Sequence, residues 1–201
     1  ASFHVTERGL SELVDADLRD YFNTIPHGPL MRCLSRRVAD GQVLSVIKQW
    51  LRAPVVERSK QGERRTTEAA DQHRGTPQGG VISPLLANLY FRRFILAWKQ
   101  FGHERRLQAR VVNYADDLVI CCRPGNGPKA MAEFRELMTR MGLTVNDDKT
   151  RLGFPEVNPS LLDSRLTTSA MLRAYRTEDS QTLTAARYDD PLHIRGVRDR
   201  E

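Results

Sequence analysis

The stretch RVVNYADDLVICC, residues 110–122, constrains the fold more than any other part of the chain. Val111, Val112 and Tyr114 make one run of strand formers and Leu118 to Cys122 makes another, so the segment reads as a β-hairpin with Asp116 and Asp117 near its turn. A polar turn is the ordinary reason for two adjacent acids. A metal site is the other, and the rest of the sequence has to decide between them.

A second strand lies far upstream. In ELVDADL, residues 12–18, the alternation has period two: Leu13, Asp15 and Asp17 share one face, while Val14, Ala16 and Leu18 share the other, which suits packing against helices. After NTIPHGP, the stretches Leu30 to Val38 and Val43 to Leu51 read as helices, and Pro54 stops the second. Residues 57–74 read as a basic, polar connection. Ser83 followed by Pro84 is an N-cap with proline at the first helical position, and that helix is expected to run to about Lys99. From Lys129 to Met141 another helix carries Phe134, Leu137, Met138 and Met141 at helical spacing, with Gly142 as its C-terminal stop. LTVN, residues 143–146, reads as a last short strand leading to Lys149. This order predicts an α+β fold, with helices packed on one face of a small antiparallel sheet and the other face free. Residues 155–201 are polar and without sustained period, which predicts a poorly packed tail.

Composition narrows the class. With 40% hydrophobic and 28% charged residues the chain has an ordinary globular balance. It has no apolar run near the roughly 18–20 residues of a membrane helix, and Ala1 to Leu10 has no signal-peptide pattern, so a cytoplasmic protein that does not engage a membrane is the simplest expectation. Cys33, Cys121 and Cys122 lack disulfide or zinc spacing and read as reduced core residues. The net charge of +6 is uneven: residues 50–110 hold twelve Lys and Arg against five Asp and Glu, whereas the rest of the chain is close to balanced. A segment-wide basic excess suits a polyanion, so nucleic acid is the leading partner.

In this layout the Asp17 strand and the Asp116/Asp117 hairpin can be sheet neighbours although 99 positions separate Asp17 from Asp116. Mg²⁺ takes hard oxygen ligands, one or two carboxylates plus substrate phosphates, and two such ions about 4 Å apart serve in-line phosphoryl displacement. GTPQGG, residues 75–80, is no Walker loop, because no Lys-Ser/Thr follows its glycines. Gly79 and Gly80 permit close backbone approach to a nucleotide or template, and Gln78 can hydrogen-bond to it.

DADLRDYFNTIPH, RGTPQGGVISPLLANLYF, YADD and MGLTVNDDKTRL resemble, in order and spacing, the palm motifs of reverse transcriptases, most closely those of the bacterial group II intron-encoded (maturase) type. The likeness covers about residues 12–152. It implies a polymerase palm over residues 1–154, with residues 52–75 as part of the fingers–palm connection and 155–201 as a tail outside it. It implies RNA-directed DNA polymerisation with two Mg²⁺ ions, on an RNA template and intron RNA, with a DNA primer and dNTPs. Asp17, Asp116 and Asp117 would form the acidic cluster, Asp17 and Asp116 as metal ligands with Asp117 beside them, and the backbone carbonyl of Leu18 would be a further ligand. Phe22 falls where the family places the steric gate that selects dNTPs. Gln78, Gly79 and Lys149 would face the nucleotide, Lys149 near the triphosphate. Arg58, Lys60, Arg64, Arg65 and Arg74 are candidates for phosphate contacts to template or primer. His27 reads as a structural histidine, and Asn23 stands where relatives often carry Asp. The sequence also departs from the family: fingers motifs do not precede the first strand, and after KTRL there is no primer grip or thumb pattern, as in a truncated or frame-shifted copy. A catalytically silent palm remnant that binds intron RNA is therefore an alternative reading. A nucleotidyl cyclase is disfavoured, since no Gly-Gly-Asp/Glu-Glu-Phe hairpin occurs.

Overall fold

The computed structural model describes residues 9–59, 62–77, 79–114 and 117–153. Asp116, Gln78, Lys60 and the expected tail at 155–201 lie outside the described residues. The chain divides into two compact units, one made of residues up to Leu18, Arg93–Met141 and Val145 onward, the other of Arg19–Arg92 and Gly142–Thr144.

The first unit contains a four-stranded antiparallel sheet. Its strands are β1 (Glu12–Ala16), β4 (Ala109–Tyr114), β5 (Asp117–Cys122) and β6 (Arg151–Gly153), in the spatial order β4-β5-β1-β6. The expected hairpin is present, with Tyr114 paired to Asp117 so that only positions 115 and 116 lie between its strands. β1 pairs with β5 from Glu12↔Cys122 to Ala16↔Leu118.

Val14, Ala16, Leu118 and Ile120 occupy one face and are all but inaccessible. The long helix Gly127–Arg140 lies against β1 and β5, and its Ala130, Phe134, Leu137 and Met138 are buried. Phe134 meets Phe94 edge-on at 5.6 Å between ring centres, and the Trp98 indole N–H donates to the Ala109 carbonyl at 2.9 Å, which satisfies its polar atom inside the core. Cys121 and Cys122 are buried free thiols, as their apolar strand implied, and burial pushes both up to about 12.

The opposite face is less open than expected. Leu13, Val112 and Cys121 are buried there, with Leu10 and Val119 packed against them, while Asp15 and Asp17 on the same face are half-buried. Alternation alone gave Leu13 a place on that face but could not show that Cys121, its partner in register, and Val112 on the next strand would close an apolar cluster with it.

The LTVN stretch is not a strand. Val145 makes a single bridge to Leu18, and the chain turns at once, Asn146 O accepting from Lys149 N at 3.2 Å and Thr150 N at 2.9 Å. The last strand among the described residues is instead β6, three residues paired to Leu13–Asp15. The turn ends the ladder because Asn146 O takes bonds from the turn rather than from a neighbouring strand.

In the second unit, α1 (Tyr21–Thr24), α2 (His27–Ser35) and α3 (Gly41–Arg52) are followed by a hairpin of β2 (Val55–Ser59) and β3 (Gly62–Thr66), then α4 (Glu68–Gln72) and the first part of α5 (Ser83–Gln100). Asp40 caps α3 by accepting from Gln42 N and Val43 N. The basic connection is therefore built: Val55↔Thr66 to Ser59↔Gly62 form a two-stranded ladder. Charged side chains hid it, because strand formers are few in ERS and GERR and no apolar alternation marks them. Ser83 differs from its expected capping role. It opens the helix, and its hydroxyl donates to the Pro77 carbonyl at 2.6 Å, closing the preceding turn. Among the described residues no helix is long and apolar enough to cross a membrane.

Candidate active site

Ala16 pairs with Leu118, and Asp17 and Asp117 are the next positions along each chain toward the hairpin turn. Alternation places positions 15, 17, 117 and 119 on the face opposite the helix Gly127–Arg140. The sheet thus brings Asp17 to the level of position 117. Asp116 lies outside the described residues, as does the side chain of Asp117, and among the described residues no group of three or more His, Cys, Asp or Glu is placed to hold a metal.

Asp17 is held at its N–H, its carbonyl and one carboxylate oxygen. Asn146 N donates to its carbonyl at 2.9 Å, its own N–H donates to the Thr150 hydroxyl at 3.2 Å, and Asn146 Nδ2 donates to its Oδ2 at 2.9 Å. One carboxylate oxygen is therefore oriented by an amide while the side chain as a whole stays half-buried. An ionised carboxylate has about four acceptor sites, so a hard cation can still be accommodated. Leu18 sits at the centre of a bridge whose bonds run from Arg19 N to Thr144 O and from Asn146 N to Asp17 O. Its own carbonyl takes no part in that bridge and points away from it. Lys149 is exposed at the end of the turn that Asn146 opens.

The second unit shows why TPQGG follows Arg74-Gly75. Gly75 N donates to Ile25 O at 2.8 Å and Thr76 N to Phe22 O at 2.7 Å, so this segment lies along α1 and the start of α2. Gly75 has φ +91°, and an added Cβ would stand 3.0 Å from the Asn23 carbonyl oxygen, so only glycine fits without strain. His27 is buried with Nε2 2.7 Å from the Gly75 carbonyl, which can only accept, so Nε2 carries the proton. Burial holds its pKa below the ordinary histidine value. This is the structural role expected of it. Phe22 is half-buried, its ring tilted against Tyr21 at 5.8 Å between centres. Tyr21 is itself fixed by donating to Ala87 O at 2.7 Å, with burial raising its pKa. Gly79 is exposed with φ +81°.

Of the basic residues, Arg58 and Arg64 are placed by backbone alone, at positions paired with Glu63 and Glu57. Arg65 is exposed, and Arg74 is exposed with Nη1 donating to Gly142 O at 3.2 Å. Asn146 and Thr150 escaped notice in the sequence, because Asn and Thr beside DDK read as turn residues.

Residues 4–184 match the family described as Reverse transcriptase (RNA-dependent DNA polymerase). The chain belongs to the reverse transcriptase family. Protein YkfC of Escherichia coli is 28% identical over 187 residues, taking in 75% of this chain and 45% of that protein. The group II intron-encoded protein LtrA of Lactococcus lactis is 30% identical over 94 residues, 45% of this chain and 14% of that protein. The chain spans less than half the length of these relatives. Apo telomerase from Candida tropicalis superposes with a TM-score of 0.56 at 12% identity, over 77% of this chain and 31% of that one. Telomerase from Candida albicans in complex with a TWJ fragment of telomeric RNA gives 0.55 at 13% identity, over 74% and 30%. These likenesses show the α+β palm-type fold, which the reverse transcriptase motifs predicted.

Proposed function

We propose that this chain is the palm of an RNA-directed DNA polymerase of the group II intron-encoded type, with Asp17, Asp116 and Asp117 as its acidic centre. The observation that carries the reading is the register that brings Asp17 level with position 117 while Asn146 hydrogen-bonds to its carboxylate. The donor set is all hard oxygen, which fits Mg²⁺ rather than softer metals. Asp17, Asp116 and the Leu18 carbonyl would hold two such ions, with Asp117 beside them, and the ions would supply charge neutralisation for the attacking hydroxyl and the departing pyrophosphate. The remaining work falls to the chain itself. Phe22 would lie against the sugar of an incoming dNTP and leave no room for a 2′-hydroxyl. Gln78 and Gly79 would contact the nucleotide or template, and the exposed Lys149 ammonium would donate toward the triphosphate. Arg58, Lys60, Arg64, Arg65 and Arg74 would neutralise phosphates of an RNA template, intron RNA or DNA primer. In this reading residues 1–154 are the palm, with 52–75 as its connection toward the fingers.

Single-nucleotide incorporation on a primed RNA template with Mg²⁺ and dNTPs tests the proposal. Incorporation is expected to fall by about 10³-fold or more in Asp17→Asn and Asp116→Asn. Incorporation unchanged in both variants would end the polymerase reading, and RNA binding with no incorporation by the parent chain would favour a silent RNA-binding palm.

A further inference from the structure

A side chain from far along the sequence forms a hydrogen bond to the Asp17 carboxylate. Asn146 Nδ2 donates to Asp17 Oδ2 at 2.9 Å across 129 positions. The contact is not an isolated surface bond. Asn146 N donates to the carbonyl of the same residue at 2.9 Å, and Thr150, held by its own N–H to Asn146 O at 2.9 Å, accepts the Asp17 N–H on its hydroxyl. Backbone and side chain of Asn146 thus grip one aspartate at two points, with Thr150 as a third.

The chemistry of that grip is specific. A carboxylate only accepts, so the amide must present its NH₂ and not its oxygen. Aspartate at position 146 would put a like charge beside Asp17, and serine would fall short of Oδ2. The amide leaves Oδ1 without this bond and fixes the plane of the carboxyl group, the arrangement needed for an oxygen that must meet a cation in one direction.

We infer that Asn146 is a positioning residue for the metal-binding aspartate: it sets the rotamer and free lone-pair direction of Asp17, and through them the affinity of the acidic centre for a divalent cation. This rests on the polymerase reading of Asp17 and adds to it a residue that acts through Asp17. Partners of this kind, hydrogen-bonded behind a metal ligand, typically carry about 10–100-fold in metal affinity.

Mn²⁺ titration of the 201-residue chain, followed by the electron paramagnetic resonance signal of the free ion, reads the effect without any turnover. Asn146→Ala is expected to weaken Mn²⁺ binding about 10-fold or more. Asn146→Leu keeps most of the bulk, cannot donate, and is expected to lose as much. Asp17→Asn is expected to remove the site, and adding Asn146→Ala to it should weaken binding no further. Thermal unfolding confirms that each variant is folded. Wild-type Mn²⁺ affinity in folded Asn146→Ala and Asn146→Leu, in a protein whose Asp17→Asn variant has lost the site, would overturn the inference and leave the polymerase reading standing. A parent chain whose Mn²⁺ binding is indifferent to Asp17→Asn would overturn both.

Discussion

Glu12 offers the sharpest test of how the sheet and its covering helix are joined. It is buried on the covered face of β1, and its Oε2 accepts from Gly125 N and Gly127 N at 2.8 Å each, across the start of the helix Gly127–Arg140. The nominal cap residue, Asn126, makes no side-chain capping bond, so Glu12 does that work from more than a hundred positions away. Two hydrogen bonds to a charged acceptor are worth about 1.5–3 kcal/mol each, and a carboxylate also suits the positive end of the helix dipole. Allowing for incomplete additivity, Glu12→Ala is expected to cost about 3–4 kcal/mol. Gly127→Ala should cost about 1–3 kcal/mol by overpacking, because a Cβ there would stand 2.6 Å from Glu12 Cδ and 2.5 Å from Leu152 Cδ1. Leu152 is 41% exposed and can swing aside, whereas Glu12 is pinned by its two bonds. The collision is thus with Glu12, and alanine otherwise favours a helix by nearly 1 kcal/mol over glycine. Urea unfolding of the two single variants and the double variant, followed by circular dichroism, measures the coupling. In the Glu12→Ala background the penalty of Gly127→Ala should vanish or reverse. A Glu12→Ala cost below about 1 kcal/mol, or additive single effects, would refute the reasoning.

Gly75→Ala should lose about 1–3 kcal/mol, from strain at φ +91° and the approach to the Asn23 carbonyl, read in the same unfolding assay. His27 and His103 are both held below their ordinary pKa by burial, so the unfolded chain takes up protons that the folded one refuses; stability should be complete above about pH 6.5 and fall as the pH drops below it. His27→Gln, which can still donate to the Gly75 carbonyl, should flatten that fall in a pH series of melts. Cys121 and Cys122, buried and with thiol pKa pushed up to about 12, should resist iodoacetamide at pH 8 until urea unfolds the chain, as mass spectrometry of the alkylated peptides would show. If Phe22 gates the sugar, Phe22→Ala should raise ribonucleotide incorporation while dNTP use persists; unchanged discrimination would return Phe22 to the core.

What was legible in the sequence follows from where side-chain period and burial coincide. ELVDADL and RVVNYADDLVICC alternate or run apolar because one face of each packs under helices, so both strands could be read directly. The helix Gly127–Arg140 announced itself by Phe134, Leu137 and Met138, all buried as their spacing implied. The β2–β3 hairpin could not be read, because its strands carry ERS and GERR and draw their order from backbone pairing. LTVN looked like a strand because Leu143 and Val145 alternate with polar residues, and both are indeed buried, yet it makes only one bridge before turning. Glu12 and Asn146 were illegible for a different reason. Each acts on a group more than a hundred positions away, and nothing local distinguishes a buried, doubly bonded glutamate from a strand-end one.

The same partition of side chains that builds the core also places the candidate site. In an antiparallel pair, a slip of one residue moves every side chain to the other face. Slipping β1 against β5 would pair Val14 with Val119 or Cys121 instead of Ile120 and break the continuous apolar face made by Val14, Ala16, Leu118 and Ile120. Burying a valine, leucine or isoleucine is worth about 1.5–3 kcal/mol each, so the three large members alone hold the register by several kcal/mol. Because positions 17 and 117 lie directly beyond the pair Ala16↔Leu118, the observed register that buries this face also brings them level, and no separate interaction between the acids is needed to do so. In the proposed site the carboxylates would repel one another, so something other than themselves must set their positions along the two strands. Apolar burial on the far side of the sheet fixes the β1–β5 register, with the Asn146 amide left to orient the Asp17 carboxyl group.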